Sequence, residues 1–546
     1  MARLALGLDS STQSLTAAVV DIDLRQCVFR KSLDYLADHR LNRSGIDRDY
    51  ILPPGEPGEA NQPVSLYFSS LDAIFADLAH ELPDHGLDPG DVAVINTSAQ
   101  QHGHVLLGRT ARDEFACLRD GAACGERDLA GILGKSPALP FARIWRTSST
   151  APEADALREA LGGKAAVIEI TGSDAPLRFS AFGIMKTARE HPAEYRSTWR
   201  IHQISSLIPA VLTGNADVPL DFGNACGSSL MDYREKKWSA PVLEAISRLL
   251  PDAGTSLEDK LPPLRSGNTL VGGLAGYFVR KYGFGPHCRI GIGSGDNPQT
   301  KALVNGSLLS LGSSLVNMVA TDGRTFDMKG YANAMYDPFD RPFVFGCRTN
   351  GALRWDNVRA GYGLAKEDYG PAELALEQTP AGNRGRIYLW LAEAESFPPC
   401  GVYGPARFGY DNEDFAADYA GIIESCLASV YLHSKHFTVR DDTLFAAGGP
   451  TGSREIMRRV AAIWNRKVIP VEKGGAALGA AASGAYALLL SEGKSPDPGK
   501  FASSFLQRKD PVEPRPEDVN SYHGPGGFLA MYEKIENRVL RVHSRR

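Results

Sequence analysis

Two widely separated stretches of this chain follow one plan. Residues 3 to 34 read as three strands, RLALGLD, SLTAAVVDID and QCVFRKSLDY, and the first connection, DSSTQ, consists of small hydroxyl and amide residues. Residues 307 to 323, SLLSLGSSLVNMVATDG, again give strand, small polar turn, strand. A turn of this kind aims backbone N–H groups and hydroxyls at phosphate oxygens. One such hairpin in each half suggests a nucleoside triphosphate gripped between two similar domains. Two unrelated hairpins sharing common turn residues explain the same letters, so the rest of the chain must decide.

At 546 residues the chain exceeds what one hydrophobic core organises, and two large domains are expected. Net charge is −5 with acids and bases interspersed, which leaves no basic face for a phosphate backbone. The expected partner is a small soluble ligand and not nucleic acid. Eight scattered cysteines, without a CxxC pair or zinc-site spacing, read as reduced thiols of a cytoplasmic protein. The start, MARLALGLDSS, does not read as a signal peptide. The apolar run from Gly474, GGAALGAAASGAYALLL, is mostly Ala and Gly, so close helix packing explains it better than a membrane span.

Between the hairpins, SLYFSSLDAIFADLAHEL is amphipathic and helical, and DVAVINTSAQQHGHVLL is an apolar strand entering a polar loop. Gly283, Gly285 and Pro286 break the chain, which places the first domain at 1–285 and a second α/β domain at 286–492. A Pro-rich linker follows in 493–546, and its last stretch, GGFLAMYEKIENRVLRVH, has helical spacing and is expected to dock on the second domain.

The stretch GIGSGDNPQT reads as the end of a buried strand, with Asn297 as helix N-cap and Pro298 as first helical residue. Asp296 is then a turn residue, but one at a strand-to-helix turn, where α/β proteins present reactive groups.

With GLDSSTQS, SAQQHG, GSGDNPQ, LSLGSS and AAGGPTGSREIMRRV in this order, the chain resembles the FGGY carbohydrate kinases over roughly residues 3 to 490. The resemblance implies an α/β fold of two actin-like (ribonuclease H-like) ATPase domains around a cleft, with sugar mostly on the first and ATP mostly on the second. It implies transfer of the ATP γ-phosphoryl to the terminal hydroxyl of a ketopentose, D-xylulose before ribulose, a pentitol or glycerol. The expected partners are the sugar and MgATP, with no nucleic acid and no membrane; a homodimer stays open. An actin-fold nucleotide switch without kinase activity is the rival from another class.

By the same resemblance Asp9 coordinates Mg²⁺ on the ATP phosphates, which needs only one or two protein carboxylates, while Thr12, Gln13 and Ser14 approach the phosphates. Gln101 and His102 hold the sugar, His102 through a hydroxyl or the carbonyl. Arg178, with five donors, contacts the sugar or holds a lid through an ion pair. Asp296 is the base that deprotonates the attacking hydroxyl, with Asn297 on neighbouring hydroxyls, and the start of the helix at Pro298 should keep it ionised. Gly312, Ser313 and Ser314 face the β- and γ-phosphates. Gly448 and Gly449 lie along adenosine with Ser453 nearby, and Trp355 borders that pocket or belongs to the core. Two departures stand out. WRTSST places Thr147, beside Trp145, where the family often has Asp, and GGPTGS places Pro450 and Ser453 where Ala and often Asn are found. Asp221 and Asn224 of DFGNACG are expected to be loop or inter-domain structure, not catalytic groups.

Overall fold

The computed structural model describes residues 3–42, 44–250, 256–365, 367–437, 443–472 and 474–543. The chain forms two compact units. Unit 1 holds residues 1–305, 334–342 and 474–505; unit 2 holds 306–333, 343–473 and 506–546.

The central sheet of unit 1 starts with β1 (Leu4–Ser10), β2 (Ser14–Asp21) and β3 (Gln26–Asp34), an antiparallel meander matching the three strands read from sequence. β4 (Val92–Ala99) runs parallel to β1. Beyond it, β5 (Leu270–Gly273) pairs antiparallel with β6 (Arg289–Gly291), which is parallel to β4. The short β7 (Ser294–Gly295) also pairs with β4. β1 is buried along nearly its whole length and reads as a continuous apolar run, as a central strand covered on both faces should.

Unit 2 repeats the plan. β8 (Ser307–Leu311), β9 (Leu315–Ala320) and β10 (Pro342–Arg348) form an antiparallel meander. β11 (Thr443–Ala447) and β12 (Lys467–Pro470) follow in parallel beside β8. The two hairpins are thus the same element of two similarly wound sheets.

The units divide the chain differently from the expected 1–285 and 286–492. Gly283 ends a helix, but the chain beyond it returns to the same sheet as β6 and β7, so the division falls after Asn305. The Ala/Gly-rich segment is the helix Gly475–Ser491, and it belongs to unit 1. It lies so close to β1 that a Cβ on Gly7 would stand 1.9 Å from the Ala477 carbonyl oxygen, and a Cβ on Gly479 2.0 Å from that of Gln299. Small residues on both partners make this approach possible, as the composition suggests. The closing helix Phe528–His543 packs in unit 2, where Glu536 accepts a hydrogen bond from Ser429 Oγ at 2.5 Å on the buried helix Phe415–Ser434.

Candidate active site

In unit 1 the sheet register brings the chemistry together. Asp9 on β1 lies opposite Ser98 on β4, and Ser98 lies opposite Ser294 on β7, so three polar residues share a row at the carboxyl ends of parallel strands. Ligands of open α/β sheets bind at such strand ends. Asp9 accepts hydrogen bonds from Ser98 Oγ at 2.6 Å and Ser11 Oγ at 2.7 Å. Burial nevertheless raises its pKa, and these two hydroxyls only partly offset that cost. An enclosed carboxylate of this kind suits a hard cation, whose charge would stabilise the ionised form. Among the described residues no group of three or more His, Cys, Asp or Glu forms a metal cage.

Asp296 opens the short helix Asp296–Ala302. The N-cap is Gly295, not Asn297, and no side chain caps the helix; Asn297 lies inside the first turn. The reason is steric: a Cβ at Gly295 would stand 2.4 Å from Gln101 Cγ, so only glycine lets the QQHG loop pass at this point. Asp296 Oδ1 accepts from the Asn297 N–H at 2.8 Å and from Asn297 Nδ2 at 3.0 Å. Asn297 Nδ2 also donates to Gln101 Oε1 at 3.0 Å, which ties the two loops together.

The expectation that the helix start keeps Asp296 ionised does not hold. Burial, with the charge of Asp9 added, pushes its pKa up to about 7, against the lowering effect of the backbone N–H groups of Asn297, Asp296 and Gln101. A seven-residue helix offers too little dipole to overcome desolvation and a neighbouring carboxylate. The outcome favours base chemistry, because a catalytic base works best with a pKa near the working pH.

His102 occupies the left-handed region at φ 69°, a conformation that stores roughly 1–3 kcal/mol and is typical of functional loops. Its ring stacks on Phe179 with centroids 4.4 Å apart, and Ser180 Oγ donates to its carbonyl at 2.9 Å. Burial and the nearby Arg178 lower its pKa to about 3, so the ring is neutral. Nδ1 lies 2.7 Å from the Gly227 carbonyl oxygen and must carry the proton to donate there. Nε2 is therefore an acceptor, suited to a hydroxyl and not to a carbonyl. Arg178 lies near the Phe179 ring, 5.8 Å from its centroid.

The remaining unit 1 residues are engaged as follows. Thr12 Oγ1 accepts from Trp145 Nε1 at 2.8 Å and donates to Gln100 Oε1 at 3.2 Å. Gln13 is exposed, and its carbonyl accepts the Tyr35 N–H, while the Ser14 carbonyl accepts the Ser11 N–H, closing the turn. Thr147 is buried and donates to the Ala60 carbonyl, so it holds the loop and does not face a ligand. Asp221 caps the turn Phe222–Ala225 and accepts from Ser294 Oγ at 2.6 Å, two residues before Asp296. Burial pushes its pKa to about 7 as well. Sequence reasoning missed Ser11, Ser98 and Ser294; the last two are set beside each other by strand register, which no local pattern carries, whereas Ser11, two residues from Asp9, lay within the DSSTQ turn and was open to local reading.

Unit 2 contains a separate cavity of about 770 Å³. Gly312, Ser313, Trp355, Gly449, Pro450 and Ser453 line it, as the sequence suggests, joined by Tyr369, Glu373 and Tyr419. The turn after β8 is fixed by bonds from the Gly351 N–H to the Ser313 carbonyl and from the Ala352 N–H to that of Gly312. Ser314 and Gly448 are not among the lining residues. Gly448 has φ 109°, and a Cβ there would stand 2.0 Å from the Leu311 carbonyl oxygen, so this glycine serves backbone packing beneath the cavity floor. Trp355 is buried, and its Nε1 has no partner, which leaves a donor for a bound molecule. Ser453 Oγ donates to Glu373 at 2.5 Å and accepts from the Ile456 N–H, so it caps the next helix. An elongated molecule with phosphates at the turn and a flat apolar end fits this cavity.

The model of the FGGY family of carbohydrate kinases, N-terminal domain, matches residues 136–302. The chain is 26% identical to the xylulose kinase of Schizosaccharomyces pombe over 88% of this chain and 89% of that protein. It is 28% identical to the probable D-xylulose kinase A of Aspergillus flavus over 98% of both chains. Its fold superposes on the ligand-bound xylulose kinase of Lactobacillus acidophilus with a TM-score of 0.79, at 17% identity and 99% coverage of both chains. The family-model match within the first unit and the similarity to xylulose kinases along nearly the whole chain make the FGGY family of carbohydrate kinases the family this chain is similar to, and the superposition shows the same fold.

Proposed function

We propose that the protein transfers the γ-phosphoryl group of ATP to the terminal hydroxyl of D-xylulose. The observation that carries this reading is the placement of Asp296, a partly buried carboxylate at a strand-to-helix turn, bonded to Asn297, which in turn holds Gln101; desolvation and the charge of Asp9 push its pKa up to about 7. Its support from relatives is that proteins named xylulose kinases align over nearly the full chain. Gln101 and Arg178 supply donors for a polyol, the Asn297 side-chain oxygen accepts from a hydroxyl while its two N–H groups hold Asp296 and Gln101, and neutral His102 accepts a hydroxyl hydrogen bond through Nε2. Asp296 takes the proton of the attacking hydroxyl as its oxygen bonds to the γ-phosphorus, and ADP leaves with the bridging oxygen. Asp9 would hold Mg²⁺, which neutralises phosphate charge when bound. In unit 2 Gly312 and Ser313 of the turn would take the phosphates, with the nucleoside along Gly449 and Trp355. Phosphoryl transfer has a loose transition state, so positioning and charge neutralisation carry most of the rate.

The test is sugar-dependent ADP release with MgATP across D-xylulose, ribulose, pentitols, glycerol, gluconate and no sugar. Release chiefly with D-xylulose is the expected result. Release with another polyol keeps the kinase and replaces the substrate, and nucleotide binding with no sugar-stimulated release would point to the switch protein.

A second prediction concerns pH. Asp296 must be ionised to act, so kcat/KM for the sugar falls as pH drops through about 7, the free-enzyme pKa. Asp9→Asn removes one of the charges that raise this pKa, so the acid limb of its residual activity moves to lower pH. A limb that stays fixed, or moves to higher pH, separates the two carboxylates and removes the coupling.

A further inference from the structure

Two of the large apolar side chains that remain exposed in this protein, Leu353 at 42% and Tyr369 at 57%, line the same unit 2 cavity. Exposed apolar surface gathered in a concave site marks a ligand contact. The Arg359 guanidinium lies 4.0 Å from the centroid of the Tyr369 ring. That guanidinium is itself fixed, donating to Asp356 at 3.0 Å and to the Ala365 and Asp368 carbonyls, both at 2.8 Å. The tyrosine that lines the cavity is thus braced by a fixed cation.

The polar lining is as informative. The described lining residues include no Asn or Gln, the side chains whose paired donor and acceptor match the N6/N7 edge of adenine. The carboxylate of Glu373 already accepts from Ser453 Oγ at 2.5 Å and from the Glu455 N–H at 3.1 Å. Any lone pair it has left accepts equally from the exocyclic amine of adenine or from the N1–H and amine of guanine. Ser453 donates to Glu373 and accepts from the Ile456 N–H. Among the other polar side chains that line the cavity, Asp356, Arg454 and the unpartnered Trp355 Nε1–H are an acceptor and two donors whose partners are present on adenine and guanine alike.

Resting on the nucleotide reading of this cavity, we propose that Tyr369 is the stacking shelf for the nucleobase and that the site selects its phosphoryl donor as a purine ring and not by the edge of adenine. ATP and GTP are then both donors. Because Tyr369 is largely exposed, its truncation leaves the fold intact.

The experiment measures binding of ADP, GDP and tripolyphosphate to the full chain without sugar, and kcat/KM for ATP and GTP with it. The expected result is an ATP to GTP ratio in kcat/KM within about tenfold. Tyr369→Ala weakens ADP and GDP binding by about 5- to 150-fold, the worth of one base stack, and leaves tripolyphosphate binding unchanged, while Tyr369→Phe restores both nucleotides. ADP binding unchanged in Tyr369→Ala overturns the shelf, and an ATP preference beyond tenfold overturns the ring-only selection; in both cases the kinase reading stands. Absence of all nucleotide binding overturns that reading and this one together.

Discussion

Asp296→Asn is expected to bind D-xylulose as the parent does and to turn over about 10²- to 10⁴-fold more slowly, the range for loss of a general base. The substitution keeps shape and most contacts. Its remaining carbonyl oxygen still accepts the Asn297 N–H that Oδ1 takes at 2.8 Å, so the loop that meets Gln101 stays in place. Only the capacity to take a proton disappears. Calorimetric sugar binding and steady-state turnover, measured on one preparation, separate the two effects. The acid limb near pH 7 should vanish from the variant's profile, because the group that produces it is gone. Turnover within threefold of the parent removes Asp296 from the chemistry.

The second large effect is structural. Gly7→Ala places a methyl group 1.9 Å from the Ala477 carbonyl oxygen and 2.5 Å from the Ala481 nitrogen. Both neighbours are backbone, so no rotamer change relieves the clash. The helix Gly475–Ser491 must lift from β1, exposing an apolar face that is almost wholly buried. Overpacking of this kind costs about 3 kcal/mol, at the upper end of the usual range. Gly361→Ala is the control: it ends a helix, an added Cβ there meets nothing within 4 Å, and its backbone is helical, so stability should hold or rise by about 0.5–1 kcal/mol. Equal denaturation midpoints for parent and Gly7→Ala would show that the close approach is not needed.

What the sequence revealed follows from the range of each interaction. The two hairpins are local, so alternation and turn chemistry sufficed to find β1, β2, β8 and β9. The ordered motifs placed Asp9, Gln101, His102, Asp296 and Asn297, which lie at a strand end, in the loop after a strand, or in the helical turn directly after one. Two partners were not legible: Ser98 reaches Asp9 through register between strands far apart in the chain, and Ser294 meets Asp221 by a tertiary contact between segments 73 residues apart. The protonation of Asp296 was misjudged for the same reason. A helix start is visible in sequence, whereas enclosure and a second carboxylate are products of folding. Tyr369 went unnoticed because nothing in GLAKEDYGPAE distinguishes a shelf from a surface aromatic; its brace, Arg359, sits ten residues earlier.

The late return of the 474–505 segment to unit 1 bears on how the protein is made. A ribosome that has released residue 305 must add about 170 more before that segment emerges, roughly 8 to 34 s at ordinary translation speeds. Throughout that interval β1 lacks its covering helix, and the groove over Gly7 is a strip of bare backbone and apolar side chains. Unit 2 is no further ahead, since its helix Phe528–His543 comes later still. Domain-by-domain maturation from the amino end is therefore closed to this chain: both units wait for residues beyond 473, and a nascent protein stalled before residue 474 offers chaperones and proteases two unfinished cores instead of one finished domain.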